Sequence, residues 1–257
     1  MMRRIVLLIA AGVAACGKGN APATGAAPVA VSGSNPALVD SLWRSIDQEY
    51  RQADWNKASL NLERLLLESP AGDPRLVRAH FLLAESYFGQ NDHLRAAREF
   101  RRVSDETPND SLAPLALLRA GDAYADLWRR PELDPSYGQQ ALATYQEMLN
   151  RYPDAAVAAR AHERVQTLQD KFAEKSYKAG LFYFRLKAYD SAILYLRDLL
   201  ATYPRASVAP DALVHLIEAY QAIGYTEEVT ETCGYFRTNH PAARDIDRVC
   251  PAVPASS

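Results

Sequence analysis

A fixed interval of twelve residues, from a small apolar residue to a proline, recurs five times along this chain. The five pairs are Ala58 and Pro70, Ala96 and Pro108, Ala141 and Pro153, Ala192 and Pro204, and Val229 and Pro241. Proline lacks an amide hydrogen and disfavours the helical conformation in the residue before it, so each interval reads as one helix that ends near the proline. Units of this size cannot bury their apolar faces singly and must stack. The chain is therefore predicted to be an all-α array.

A second helical pattern precedes the first one in every unit. In the second unit, for example, it runs from Phe81 to Phe88, and Phe100 and Val103 follow Ala96 at offsets that share one helix stripe. Each unit is thus predicted to be a helix pair. The five pairs are predicted at 37–70, 74–108, 111–153, 173–204 and 208–241.

Two irregularities interrupt the repeats. Nine additional residues inside the third unit, including Trp128, Arg129, Arg130 and Pro131, predict a protruding loop, which is either a contact site or a tolerated insertion. Helical spacing also continues through 155–171, which predicts an extra helix that joins the first helix of the fourth unit into a long or bent rod.

The N-terminus predicts an exported, lipid-anchored protein. Residues 1–15 have a basic start and an apolar run of eleven residues, typical of a signal peptide and too short to span a bilayer. The run ends immediately before Cys16 and resembles the bacterial lipobox, which implies a diacylglycerol and an N-acyl chain on Cys16. The alternative is an ordinary signal peptide with a chance cysteine. Residues 16–36 are poor in charge and predict a flexible linker.

The helix pairs resemble the tetratricopeptide repeat, which has small residues early in both helices, aromatic residues midway and a closing proline. The second unit fits this pattern with Ala84, Tyr87, Ala96, Phe100 and Pro108. The fold class implied is a tetratricopeptide-repeat solenoid of five helix pairs, with the extra helix after the third pair and a short C-terminal capping helix within the tail at 242–257. That tail is predicted to be partly disordered.

The order of these parts resembles the BamD family, the lipoprotein subunit of the β-barrel assembly machinery. The resemblance is carried by the lipobox, the five units, the loop that ends in Asp134 and Pro135, and the continuous run from Asn150 to Pro204. It implies a non-enzymatic scaffold on the periplasmic face of the outer membrane. It also implies three kinds of partner: the periplasmic domains of a BamA-like insertase, bound mainly by units three to five; unfolded outer-membrane proteins, bound by units one and two; and other lipoproteins of the machinery.

A peptide groove is predicted from the residues as well. If the first helices line a concave surface, their aromatic residues face it; these are Trp43, Tyr50, Phe81, Phe88, Tyr124, Tyr177 and Phe184. Repeats that clamp a peptide carboxylate carry lysine, arginine and asparagine at such groove-facing positions, and this chain does not. The expected ligand is therefore an extended peptide with aromatic side chains. The alternative is that the rings pack between helices, and about three of the seven are expected to be exposed.

Two cysteines remain besides Cys16. An oxidising compartment favours a disulfide between Cys233 and Cys250, with the segment from Ala242 to Val249 folded back as the cap. The alternative is a buried thiol and a free one.

Other classes of function lack support in the sequence. The formal net charge is −2, so no nucleic-acid partner is expected. The five histidines show no metal-ligand spacing, and no nucleophile elbow occurs, so neither a metal nor an enzyme is expected. A periplasmic repeat adaptor for Tol-associated or cell-wall assembly remains the rival function; that family usually has a coiled coil and no lipidated cysteine.

Overall fold

The computed structural model describes residues 35–250, and every regular element in that range is an α-helix. The predicted all-α fold of stacked helix pairs is confirmed. The helices are α1 Pro36–Arg51, α2 Trp55–Glu68, α3 Leu76–Gly89, α4 His93–Glu106, α5 Ala113–Leu127, α6 Ser136–Arg151, α7 Ala158–Arg185, α8 Tyr189–Thr202, α9 Ala209–Ile223, α10 Thr226–Asn239 and α11 Ile246–Val249.

The two helices of a pair are joined by one recurrent turn. Its central residue has a positive φ in four of the five pairs: Ala53, Asn91, Lys187 and Gly224. The next amide donates to the carbonyl five residues earlier, as Asp92 does to Tyr87 at 2.9 Å. Two of the helices that follow begin at an aspartate, Asp54 or Asp92, whose side chain accepts an amide of the first turn. This turn makes the two helices of a pair antiparallel neighbours.

The third pair has the long loop in place of this turn, and the loop is fastened down. Trp128 is 1% exposed, with its ring 4.5 Å from that of Phe172 in α7. Lys175 of α7 donates to the carbonyls of Pro131 and Leu133 at 3.1 and 3.0 Å. The predicted loop is therefore anchored at its start by the buried Trp128, while Arg129, Arg130, Glu132, Leu133 and Asp134 are exposed.

Helix α7 is the longest element, with 28 residues, or about 42 Å at 1.5 Å per residue. The predicted extra helix at 155–171 begins at Ala158 and continues without a break into the first helix of the fourth pair. Two hydrophobic cores meet along it. Ala161, Leu168 and Phe172 belong to the core of the first three pairs, whereas Ala173 belongs to the core of the last two.

Candidate functional site

The seven aromatic residues predicted to line a groove are mostly structural. Tyr124 is buried and the other six are half-buried, so the expectation that about three are exposed is wrong. Trp43, Phe81 and Phe88 pack against the first core, and Tyr177 and Phe184 pack against the second. These rings fill the space between stacked helices, which was the alternative interpretation.

Two ring contacts show how these aromatic side chains are packed between helices. Tyr50 meets Trp55 edge to face at 5.2 Å, and Phe81 meets Phe100 at 5.5 Å, in each case across the two helices of one pair. Edge-to-face packing adds stabilisation beyond the area buried. These contacts stabilise the pairs and leave little ring surface for a ligand.

A second group of rings lies between the fourth and fifth pairs. His215 of α9 contacts Phe184 edge to face at 5.1 Å and Tyr177 at 5.8 Å. Its Nδ1 lies 2.9 Å from the carbonyl oxygen of Asp211. The tie to its own helix holds the imidazole between the two rings, so this cluster is a packing contact between α7 and α9.

Charged side chains, which the sequence analysis did not expect there, line the surface formed by α3, α5 and α7. Arg119 of α5 donates to both carboxylate oxygens of Glu85 in α3, at 2.6 and 2.9 Å. Its guanidinium also lies 4.1 Å from the centre of the Phe88 ring. The statement that such positions lack arginine and lysine is therefore wrong for this surface.

Asp122 is the centre of this charged network and is 7% exposed. It accepts hydrogen bonds from the Tyr145 hydroxyl at 2.8 Å, from Arg164 Nε at 3.1 Å and from Arg119 at 3.3 Å. A buried carboxylate needs such partners, because its desolvation is otherwise very costly. Burial raises the pKa of Tyr145, and the charge of Asp122 raises it further, so the hydroxyl remains a donor.

A cleft of about 280 Å³ opens beside this network; we call it the charged cleft. It is lined by Phe88, Arg119, Asp122, Ala125, Asp126, Tyr145, Arg164, Thr167, Leu168 and Lys171. Lys171 lies 4.7 Å from the centre of the Trp128 ring and donates to the Trp128 carbonyl, and burial lowers the pKa of Lys171. The cleft thus combines apolar surface with hydrogen-bond donors, hydrogen-bond acceptors and charges of both signs. Such a lining suits an extended peptide, because its backbone offers both donors and acceptors.

Tyr50 of α1 interacts electrostatically with Glu85 and with Arg119, and Arg119 lines the charged cleft. Burial raises the pKa of Tyr50, and the charge of Glu85 raises it further while Arg119 opposes the change. Of the seven predicted residues, Phe88 is the one that lines the cleft. A sequence signal for the rest existed in Arg119, Asp122 and Arg164, polar residues on helices whose other faces are buried, but their spacing gives no hint that they meet.

Comparison with known proteins places the chain. A family model described as YfiO, an outer membrane lipoprotein, matches residues 37–233. The chain belongs to this family. The resemblance that the residues carry is thereby confirmed, and the match ends at Cys233, so α11 and Cys250 lie beyond it.

Several relatives of this YfiO chain are named "Outer membrane protein assembly factor BamD". The one from Xylella fastidiosa strain 9a5c is 26% identical over 231 residues, which cover 85% of this chain and 78% of that protein. The one from Caulobacter vibrioides is 24% identical over 239 residues, or 93% of this chain and 75% of the relative. Among solved structures, a tetratricopeptide-repeat protein from Thermus thermophilus aligns at 20% identity and a TM-score of 0.36, covering 81% of this chain and 94% of that one.

The remaining predicted sites of this YfiO family member divide into two groups. Cys16, the predicted lipidation site, lies outside the described residues. Cys233 and Cys250 are joined in a disulfide, with 5.6 Å between their Cα atoms. Within residues 35–250, no helix has the length and apolar character needed to cross a bilayer, and no cluster of potential metal ligands occurs.

Proposed function

We propose that this protein is a non-enzymatic, lipid-anchored scaffold that helps assemble β-barrel proteins into the outer membrane. The observation that carries the proposal is the family match over 37–233, together with relatives named outer membrane protein assembly factor. In this proposal Cys16 carries the acyl chains, and the linker at 16–36 ties the repeats to the periplasmic face of the outer membrane.

The charged cleft is the proposed site for unfolded barrel proteins. Arg164, Thr167 and Lys171 recur along one side of α7, three or four residues apart, and Phe88 and Leu168 supply apolar surface. A peptide laid along the cleft meets donors from α7 and the carboxylate of Asp126 from α5. In this proposal substrate lies between the second and third pairs and α7, rather than over the first two pairs alone.

The insertase is proposed to dock on the fourth pair. Four large apolar side chains are exposed there, Phe182 and Leu186 in and after α7 and Leu194 and Tyr195 in α8, at 57%, 62%, 68% and 38%. We call them the α7–α8 patch. Its rings are preorganised, since Tyr183 stacks on Tyr195 at 5.3 Å and meets Phe182 edge to face at the same distance. Rigid, exposed aromatic residues are favoured in protein interfaces.

A pull-down from detergent-solubilised membranes tests the scaffold. The full chain is expected to recover a BamA-like insertase and further lipoproteins of the machinery. Recovery of Tol or cell-wall proteins instead would favour the rival adaptor function and contradict the proposal. Phe182→Asp combined with Leu194→Asp is expected to abolish recovery of the insertase. Leu67→Asp, at an 86% exposed site on α2, is the matched control and is expected to leave it unchanged.

Peptide binding is tested separately, with fluorescent peptides copied from the final strand of a barrel protein. Arg164→Ala is expected to weaken binding about tenfold, because a hydrogen bond to a charged group is lost. Arg160→Ala, one turn earlier on α7 and absent from the cleft lining, is the control. Equal affinities for the two variants would exclude the charged cleft as the peptide site without affecting the docking proposal.

A further inference from the structure

Three of the four joints between successive units share one backbone pattern, and the pattern occurs once more after the last unit; the first joint differs, since there the Asp73 amide donates to the carbonyl of Pro70 itself. At each of these four places, the backbone carbonyl of the residue before the proline accepts a hydrogen bond from the amide three residues later. These bonds join Asp110 to Thr107, Ala155 to Tyr152, Ala206 to Tyr203 and Ala243 to His240, at 3.0, 3.2, 3.1 and 3.0 Å. The chain after Pro241 therefore turns as it does where another unit follows.

The helix that comes next also keeps its register. At these same four prolines, the eighth residue after the proline donates its amide to the carbonyl of the fourth residue after the proline. The pairs are Ala116 to Leu112, Ala161 to Val157, Ala212 to Val208 and Val249 to Asp245, at 2.8, 3.1, 2.9 and 3.2 Å. The eighth residue is buried in every case, at 0% for the three alanines and 3% for Val249. Helix α11 thus occupies the position of the first helix of a sixth unit.

Helix α11 ends after one turn. Pro251 follows Cys250, whose backbone is already extended at φ −101° and ψ 125°, as expected for a residue before proline. A helix of four residues is far below the length at which helices are stable on their own. Something other than helix propensity must therefore hold it in place.

Contacts with the fifth pair supply that hold. Ile246 and Val249 pack into the second core, and the Gln221 side chain donates to the Val249 carbonyl at 2.8 Å. Arg248 pairs with Glu218 of α9 at 2.5 Å, but its side chain is 54% exposed, so this ion pair adds little. The covalent link from Cys250 to Cys233 of α10 is the strongest of these constraints.

We propose that residues 242–250 are the first turn of a sixth repeat and that the Cys233–Cys250 disulfide keeps this turn closed over the end of α9 and α10. The closure is redox-dependent. A dithiol of the thiol–disulfide oxidoreductase class transfers two electrons and two protons, the S–S bond breaks, two thiols form, and the dithiol becomes a disulfide. Opening uncovers the surface of α9 and α10 on which a further repeat helix packs.

The segment 242–250, which opens in this proposal, borders a cleft of about 500 Å³ that is lined in part by Val214, Phe236 and Pro241. Phe236 is fully buried in the closed form. Displacement of Ile246 and Val249 removes apolar neighbours from this end of the second core. The open form therefore presents an apolar end that the closed form covers. This inference does not depend on the proposed function.

Hydrogen exchange on the full chain carrying Cys16→Ser, which leaves only the two paired cysteines, tests the proposal. Reduction with tris(2-carboxyethyl)phosphine is expected to speed exchange of the Val249 and Cys250 amides at least tenfold, while the amides of α1–α8 stay unchanged. Unchanged protection of Val249 and Cys250 would overturn the proposal, because packing alone would then suffice. Equal loss throughout α9 and α10 would also overturn it, because the disulfide would then hold the whole fifth pair.

Two variants separate the disulfide from side-chain packing. Cys250→Ser is expected to show the open form without reductant, with the helical circular dichroism of the array retained. Val249→Ala introduces the residue found at this position in the other three joints with the same pattern, and it leaves the disulfide intact, so its exchange is expected to stay within twofold of the parent. If Val249→Ala opens the end as far as Cys250→Ser does, the assignment of closure to the disulfide is wrong.

Discussion

Phe172 and Tyr203 stack with their ring planes 8° apart and their centroids 6.3 Å apart, at the point where the two hydrophobic cores of the array meet. Phe172 belongs to the first core, and Tyr203 packs against both. The ring of Trp128, from the long loop of the third pair, lies 4.5 Å from that of Phe172. Two segments distant in sequence, the long loop and the joint after α8, thus meet on α7, which makes this helix the connection between the charged cleft and the α7–α8 patch.

Removal of the Phe172 ring tests that connection. Phe172→Ala is expected to lower the free energy of unfolding by about 3–5 kcal/mol, because the change leaves a cavity between two cores. Phe182→Ala, ten residues along the same helix and 57% exposed, is the control and is expected to cost less than about 1 kcal/mol. Urea unfolding followed by circular dichroism measures both. A small loss for Phe172→Ala would mean that the two cores are stabilised independently of this contact.

The third pair depends on a glycine that lets Trp128 approach the backbone of α6. A Cβ atom built on Gly138 would lie 2.2 Å from the Trp128 ring, which is itself fully buried and cannot move aside. Gly138→Ala is therefore expected to lower the thermal midpoint by several degrees, as overpacking costs typically 1–3 kcal/mol. Gly234→Ala in α10 adds a methyl group where no atom lies within 4 Å. This control is expected to be neutral or slightly stabilising, since alanine favours helix over glycine; a loss of similar size in both variants would contradict the role of Trp128.

Much of the array could be predicted from the sequence, because its determinants are local. Ala192 lies in α8 and Pro204 follows the end of that helix, so the interval between them predicts both where helices pack closely and where α8 ends. The packing of Trp128 in the loop of the third pair could not be predicted in this way, because its partner Phe172 lies on α7, more than forty residues later in the chain.

The charged cleft could not be predicted for a related reason. Arg119 pairs with Glu85, which is 34 residues earlier, and Arg164 pairs with Asp122, which is 42 residues earlier. These separations depend on the exact lengths of the long loop and of α7, and neither length follows the repeat. Apolar stripes indicate which face of a helix is buried, but they do not show which polar side chains meet across two stacked units.

Acid sensitivity of the second and third pairs is expected to depend on Glu147. This carboxylate joins α6 to α4, with Arg151 at 2.8 Å and Arg101 at 3.0 Å. Burial alone raises the pKa of Glu147, but the hydrogen bonds from the two arginines outweigh it and hold that pKa below the usual 4.5. Because the folded pKa is lowered, the stabilisation is fully present above about pH 5 and is lost as the pH falls through the folded value.

Glu147→Gln is expected to lower the free energy of unfolding by about 1 kcal/mol at pH 7, a value that allows for the partial exposure of the three side chains. The difference from the parent is expected to shrink between about pH 5 and pH 3, because the parent loses the same charge there. Unfolding midpoints measured at a series of pH values provide the comparison. A difference that stays constant from pH 7 to pH 3 would show that the charge of Glu147 does not contribute.

The pair of Arg119 and Glu85 is expected to be coupled in a way that surface pairs are not. Both side chains are about one-fifth exposed, at 20% and 19%, and the contact is bidentate. We expect Arg119→Gln and Glu85→Gln each to destabilise the protein, and the double variant to lose about 0.5–2 kcal/mol less than the sum, since each single change leaves one partner without its counterion. The pair Arg51 and Asp47, at 72% and 56% exposure, is the matched control, with an expected coupling below about 0.5 kcal/mol. Arg119 also covers the Phe88 ring at the edge of the cleft, so the coupled pair fixes the distance between α3 and α5. Additive effects of the two changes would instead mean that apolar packing alone sets the position of this wall of the charged cleft.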